Sequence, residues 1–374
     1  MKASEKTAKR RQQLLRFISR DLLGPVVGKM PKSSIESLEK ASYLPNIRRH
    51  ILDIIPVTDA RIVKHETGVA YPPFIRTEAV FNRRKLYLLK DATVSPFSGM
   101  AWIGNRIIEE SVGSLRRIMD WGDMLHEPLL PVTALASAEP VVVCHPANYF
   151  HWLMEVLPNL LFTVAMFPEV KIVLPEEVPR YVSEGLFTAL GTDAKKRFIR
   201  CPGPVRVERL VVPQYHTQPE FTDPQVIALL HSTVKEKVTA DGARPRTGRG
   251  VRLYVSRRKS RRRLAGEELL EKRLKEIGFT ILHCEELSFA EQIRVFHEAE
   301  MVVGTHGAGL ANVVWSQPGC RVIEIFANNY ILDCYAWLSF SRALEYRHVV
   351  CDTGHRIDEK AMDEVLNMCG GGER

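Results

Sequence analysis

The chain has 374 residues, 45% of them hydrophobic and 26% charged, which is enough for two domains with separate cores; disorder and repeats are not needed to explain it. Lys and Arg number 52 against 44 Asp and Glu, and the net charge of +8 favours anionic partners (nucleotide phosphates, polyanionic glycans, lipid surfaces) without choosing among them. The 7 cysteines are scattered, with no C-x-x-C pair, so neither a disulfide framework nor a zinc ribbon is suggested and a reducing cytoplasm fits. No apolar stretch reaches signal-peptide or membrane-spanning length, so secretion by its own signal and membrane spanning are not expected.

In chain order, the first predicted element is a helix over 9–27. Leu14, Leu15, Ile18, Leu22 and Leu23 share one face, and Arg10, Arg11, Arg16 and Arg20 surround it. Such a helix can lie on an anionic membrane or, more commonly, pack on its own domain. Residues 31–56 read as connecting structure, and 61–89 as short strand-like runs broken by Pro72 and Pro73. A strand at 141–144 leads into Asn148-Tyr149-Phe150-His151-Trp152 and a helix through Leu153, Val156, Leu160 and Leu161. Pro158 is expected to bend that helix unless it sits in the first turn.

Residues 171–174 and 209–212 read as strands, with helices over 179–190 and 223–237. The segment 240–250, ADGARPRTGRG, is small, charged and rich in Gly and Pro, and is the predicted linker. Beyond it, strands at 252–255, 280–283, 301–304 and 322–325 alternate with helices at 267–277, 288–299 and 308–316. Ser288-x-x-Glu291 forms a capping box. This alternation implies a parallel sheet with right-handed crossovers, and two α/β lobes leave a cleft at the carboxyl ends of the strands.

Three constellations can carry chemistry. In 301–326 an apolar run gives way to Gly304, His306, Gly307 and Gly309, a helix and a second apolar run holding Glu324. Strand, glycine turn and helix together present backbone amides to a phosphate. The spacing is neither G-x-G-x-x-G nor a P-loop, so hydride transfer and P-loop phosphoryl transfer lose ground, and a nucleotide or nucleotide-activated substrate is the expected ligand. A turn without ligand is the competing reading.

The second constellation is the run from Arg257 to Arg263, six cations in seven residues just after a strand. Guanidinium groups there can fork onto phosphate oxygens. A solvated basic loop is the bland alternative; a nucleic-acid patch is a weaker one, because no aromatic follows Tyr254 within the run. The third is His151 and Glu155, four residues apart on one helical face, either of which can serve as general base. A metal pair lacks a third ligand, and a purely structural His–Glu pair is the competitor.

Taken in order, N-Y-F-H-W-x-x-E, Y-V-S-R-R with its further arginines, and G-T-H-G-A-G-L-A-N with V-I-E-I-F resemble glycosyltransferase family 61 over about 141–326. The resemblance implies a GT-B-like α/β fold: an N-terminal helix at 1–30, an acceptor-side lobe at 31–239, the linker at 240–250 and a nucleotide-sugar-binding Rossmann-like lobe with a parallel sheet at 251–374. Its tail is free to pack back on the N-terminal lobe. The implied reaction is inverting transfer of a sugar from a nucleoside diphosphate, usually a UDP-sugar, to a glycan hydroxyl. Eukaryotic relatives transfer N-acetylglucosamine or xylose; bacterial relatives resemble polysaccharide and capsule assembly enzymes. A bacterial, cytoplasmic protein is expected, with peripheral contact to the inner membrane face left open and no nucleic-acid partner.

Carried onto this chain, Glu155 takes the acceptor proton, with His151 as second choice. Arg257, Arg261, His306 and the amides of Gly307, Ala308 and Gly309 offset charge on the departing diphosphate. Glu324 is expected to meet ribose hydroxyls by analogy with other nucleotide folds. Asn312 and Gln292 are second-line donor contacts or helix-packing residues. Relatives commonly have Asn before the Glu of the arginine motif, where this chain has Gly266 before Glu267. No cofactor and no strict metal requirement are expected, since arginine and helix dipole can replace a divalent cation.

Overall fold

Runs of Val, Ile and Leu favour strands buried on both faces. Such runs build two sheets in the computed structural model, which describes residues 38, 45–67, 71–104, 106–112, 127–215, 221–239, 250–260 and 263–370. The predicted helix over 9–27, residues 240–249 of the linker and Arg261 lie outside the described residues.

The later sheet has five strands in the order Thr280–Leu282, Val251–Val255, Ala299–Thr305, Arg321–Phe326, Glu345–Val350. Every neighbouring pair is parallel, as the alternation of strands and helices predicts. Leu253, Val255, Val302 and Val322 point to one face, beneath helices Phe289–His297 and Cys334–Ser341. Tyr254, Met301, Val303, Ile323 and Ile325 point to the other, under Glu267–Glu276 and Glu359–Gly370. The tail helix thus covers one face of its own sheet.

The capping box at Ser288 forms, its hydroxyl accepting from the Glu291 amide. Gly266 precedes Glu267–Glu276 with φ 84, a conformation that disfavours a side chain, and an added Cβ would come 2.6 Å from the Ile357 carbonyl oxygen. Backbone geometry therefore accounts for glycine where relatives are expected to carry Asn.

The earlier sheet is mixed. Its main order is Phe198–Cys201, Lys171–Pro175, Val141–Val143, Val205–Pro213, Lys85–Val94, Ala101–Ile103, Arg106–Ile107. The first four are joined by parallel pairing and the remainder by antiparallel pairing. Ile51–Pro56, expected as connecting structure, is an antiparallel strand on Lys85–Val94; its ILDIIP run supplies the apolar residues a sheet needs. Helix Cys334–Ser341, strand Glu345–Val350 and helix Glu359–Gly370 also had no sequence assignment.

Two of the helical segments that depart from regular winding carry motif residues. Trp152–Val156 is a π turn leading into Leu157–Met166, with Pro158 in that helix's first turn. Proline has no N–H, and its ring crowds the carbonyl four residues back, so a widened turn accommodates it. Ala308–Trp315 winds as a 3-10 helix, bringing residues three apart into line; Trp315 Nε1 donates to Asn312 Oδ1 at 3.2 Å.

Trp152, Phe289 and Trp315 join the two sheet units edge to face, at 5.8 and 6.2 Å between centroids. The antiparallel ribbon Arg61–Lys64 and Glu78–Phe81 adds a second seam. Arg76 grips Asp333 with its amide and guanidinium at 2.8–3.0 Å, and Trp337 Nε1 donates to the Thr222 carbonyl at 2.9 Å. Among the described residues no helix is long and apolar enough to cross a membrane.

Glu127 is buried in the earlier unit, accepting from Ser98. Burial pushes its carboxyl from 4.5 up to about 7, against the pull of Ser98 and Ser95. Between those two pH values the folded protein holds a proton that the unfolded chain has released, so stability falls as pH rises through the window. In urea unfolding at pH 5 and pH 8, wild type loses on the order of 3 kcal/mol relative to Glu127→Gln; parallel pH profiles would contradict this.

Candidate active site

The glycines of 304–309 serve close approach. An added Cβ at Gly304 would sit 3.0 Å from Leu310 Cδ2, at Gly309 2.9 Å from Val255 Cγ1, and at Gly307 2.7 Å from the Arg257 guanidinium carbon. Gly307 has an extended backbone with φ 171, so contact and not left-handed geometry excludes a side chain there. Arg257 leaves the carboxyl end of Val251–Val255 and His306 that of Ala299–Thr305, adjacent strands in register at Val255 and Gly304. Arg257 Nη1 donates to the His306 carbonyl oxygen, and Tyr335 OH donates to the Gly307 carbonyl at 2.7 Å. Ala308 and Gly309 open the 3-10 helix, where the first amides have no intrahelical acceptor.

Carboxylates set the basic run. Glu267, 1% exposed, accepts from the Arg257 amide at 2.7 Å and from Tyr254 OH at 3.1 Å, while burial raises its carboxyl. Glu271 takes Ser256 Oγ at 2.6 Å and Arg258 Nη1 at 3.1 Å; Lys259 pairs with Glu286. The run is therefore divided: Arg257 lies over the glycine turn, while Arg258 and Lys259 meet neighbouring carboxylates.

His306 and Glu324 meet at 2.5 Å between Nδ1 and Oε1. Glu324 is 0% exposed, and Tyr346 OH occupies Oε2 at 2.7 Å. Both oxygens of Glu324, expected from the sequence to meet ribose, are thus engaged inside the protein. Asn312 and Gln292 take the packing role. Asn312 is 0% exposed, accepts from Tyr149 OH at 2.6 Å and donates to Gln292 Oε1 at 2.8 Å, forming a polar hub between the two units.

His151 and Glu155 come together as the spacing predicts, Nδ1 to Oε1 at 2.8 Å, but they differ in access. The His151 side chain is 17% exposed and that of Glu155 7%. Behind Glu155 lies Arg84, 7% exposed, donating to Asn159 Oδ1 at 2.6 Å. Burial pulls the Arg84 guanidinium below the usual arginine range, and the charges of Asp223 and Glu155 oppose that.

Aromatic contacts bring the two clusters near one another. Phe150 stands edge-on to His151 at 5.3 Å and to Tyr335 at 5.7 Å, and Tyr335 lies 5.3 Å from His306. The structure thus gathers Arg257, His306, Gly307, His151 and Glu155 around one region. Sequence reasoning gave no role to Arg84, Tyr149, Tyr335 or Tyr346. Tyr149 stood inside a motif already singled out; the other three are far from any motif, and no local spacing marks them.

A separate cleft of about 1300 Å³ opens at the amino ends of the five strands, among Lys64, Tyr71, Arg321 and Tyr346, and none of the predicted site residues lines it. Charge, glycine turn and His–Glu pair instead concentrate at the carboxyl ends, where α/β sheets commonly bind ligands.

Residues 149–323 match the family model of Glycosyltransferase 61. Parts of the chain are also similar to two plant proteins. One is a beta-1,2-xylosyltransferase of Oryza sativa subsp. japonica, 31% identical over 85 residues, or 23% of this chain and 16% of that protein. The other is a beta-1,2-xylosyltransferase of Arabidopsis thaliana, 28% identical over 80 residues, or 21% of this chain and 15% of that protein. The matched stretch spans about a sixth of these relatives. Over residues 149–323 the chain is thus similar to glycosyltransferases of family 61.

The bond from Tyr149 to Asn312 ties the two units through a buried acceptor that keeps Trp315 as a second donor. Tyr149→Phe is expected to lower unfolding free energy by about 1 kcal/mol without changing secondary structure. An unchanged urea midpoint would show that the bond contributes nothing.

Proposed function

We propose that the chain is an inverting glycosyltransferase that moves a sugar from a nucleoside diphosphate donor, with a UDP-sugar first in mind, to a hydroxyl of a glycan acceptor. The reading is carried by Arg257 and His306 leaving adjacent strands over a side-chain-free Gly307, with the His151–Glu155 pair linked to them through Phe150 and Tyr335. In this proposal residues 31–239 and 251–374 act as the acceptor-side and donor-side lobes of a GT-B arrangement. A bacterial, cytoplasmic role in polysaccharide assembly rests on the sequence: the resemblance, the scattered cysteines and the lack of a signal-length apolar stretch. The plant xylosyltransferases make UDP-pentoses as apt to test as UDP-hexoses.

The roles within the pair follow from access. His151, the more exposed partner, takes the proton of the acceptor hydroxyl, while Glu155 holds Nδ1–H and offsets the imidazolium charge. The acceptor oxygen attacks the anomeric carbon as its bond to the diphosphate oxygen breaks, and the electron pair leaves with the diphosphate. Arg257, His306 and the first amides of Ala308–Trp315 meet that growing negative charge. Arginine and helix dipole supply positive charge without a divalent ion.

Substitution tests the division of labour. His151→Ala and Glu155→Gln are expected to lower kcat roughly 10²- to 10⁴-fold while UDP binding, read by calorimetry, stays near wild type. Equal loss of UDP binding in both would contradict a catalytic pair. Full turnover in EDTA is expected, and activity abolished by EDTA and restored by manganese would contradict the metal-free reading.

A further inference from the structure

His306 is tied into the protein interior. Its Nδ1 meets Glu324 Oε1 at 2.5 Å, and Glu324 Oε2 accepts from Tyr346 OH at 2.7 Å. The Glu324 carboxylate is fully buried, and Tyr346 is 2% exposed. An ionised carboxylate that accepts a hydrogen bond from Tyr346 OH at one oxygen also accepts at the other, so opposite it the imidazole presents Nδ1–H inward. Its Nε2 lies on the opposite side of the ring. The ring plane is also confined: Phe326 stacks on it at 5.3 Å and 26°, and Tyr335 and Tyr330 stand at 5.3 and 5.4 Å.

The sheet register explains how these groups meet. Val322 pairs with Tyr346 on the neighbouring strand. Glu324, two residues along the same face, lies diagonal to Tyr346 and within reach of its ring. On the other side Glu324 pairs with Gly304, two residues before His306. The missing side chain at Gly304 makes room for Leu310 and Val255, which lie 3.0 and 3.1 Å from where its β-carbon would be.

We infer that Tyr346 and Glu324 are positioning residues for the donor diphosphate, acting through His306. They fix the imidazole with Nδ1–H inward and Nε2 toward the space beside Arg257 and Gly307. When the ring carries its second proton, Nε2–H donates to a phosphate oxygen and the buried carboxylate holds the counter-charge. Glu324 thus serves the nucleotide without touching it. The inference rests on the donor-site reading given under Proposed function, and the experiment separates the two.

The test uses the full chain with UDP as probe in a double-mutant cycle read by calorimetry. Tyr346→Phe, which removes one oxygen, is expected to weaken UDP binding roughly three- to tenfold in the wild-type background and to leave it almost unchanged in His306→Ala. Equal weakening in both backgrounds, or none in the first, overturns the relay. Glu324→Gln is the second variant and should show the same dependence on His306.

Histidine ¹⁵N NMR of the ligand-free chain supplies a reading independent of nucleotide. The His306 Nδ1 should be protonated and should shift in Tyr346→Phe. A neutral ring with its proton on Nε2 overturns the relay whatever the binding data show. If wild type binds no nucleoside diphosphate, the donor-site reading fails, and the NMR spectrum alone decides the geometry.

Discussion

The Arg257 guanidinium carbon lies 2.7 Å from where a β-carbon of residue 307 would be, closer than any side chain there could tolerate. That single steric constraint orders much of the region. With no side chain at Gly307, the guanidinium crosses the turn and reaches the His306 carbonyl, and Tyr335 binds the Gly307 carbonyl from the other direction. Tyr335 then supports Phe150, which leads to His151. The approach of two backbone segments and one arginine thus sets how Arg257 and His306 stand relative to His151.

A second regularity is electrostatic. Groups that face the site are backed by carboxylates withdrawn from water: His151 by Glu155, His306 by Glu324, and the Arg257 amide by Glu267. A buried carboxylate is costly unless it is hydrogen-bonded or paired, so each one constrains the orientation of its partner strongly. Two of these carboxylates have a further group behind them, Arg84 near Glu155 and Tyr346 on Glu324. The site is oriented from within the cores of both units, whereas flexible surface charges such as Lys259 and Glu286 form pairs whose contribution is small.

Much of the later sheet was legible because its signals are local. The β-branched runs before Gly304 and around Glu324, the Ser288 capping box and the glycine spacing each predict an element without reference to distant residues. The His151–Glu155 contact was legible for the same reason, since four residues is one helical turn. What escaped depends on tertiary contacts. Nothing near Glu324 in sequence says that Tyr346 will occupy its second oxygen. Sequence spacing likewise cannot reveal that Glu155 is the less exposed partner of its pair. The strand Ile51–Pro56 was hidden by its terminal proline and short length, and becomes a strand by pairing with Lys85–Val94. The Asn312 hub within Ala308–Trp315 likewise draws its partners Tyr149 and Gln292 from elsewhere in the chain.

The central claim is that one region at the carboxyl ends of the five-stranded sheet holds a donor diphosphate opposite the His151–Glu155 pair. A crystal structure of the chain with UDP tests it most directly. The account predicts diphosphate oxygens within hydrogen-bond distance of Arg257 and His306 Nε2, with the β-phosphate turned toward His151. Nucleotide seated instead in the cleft among Lys64, Tyr71 and Arg321, with Arg257 and His306 untouched, would contradict it.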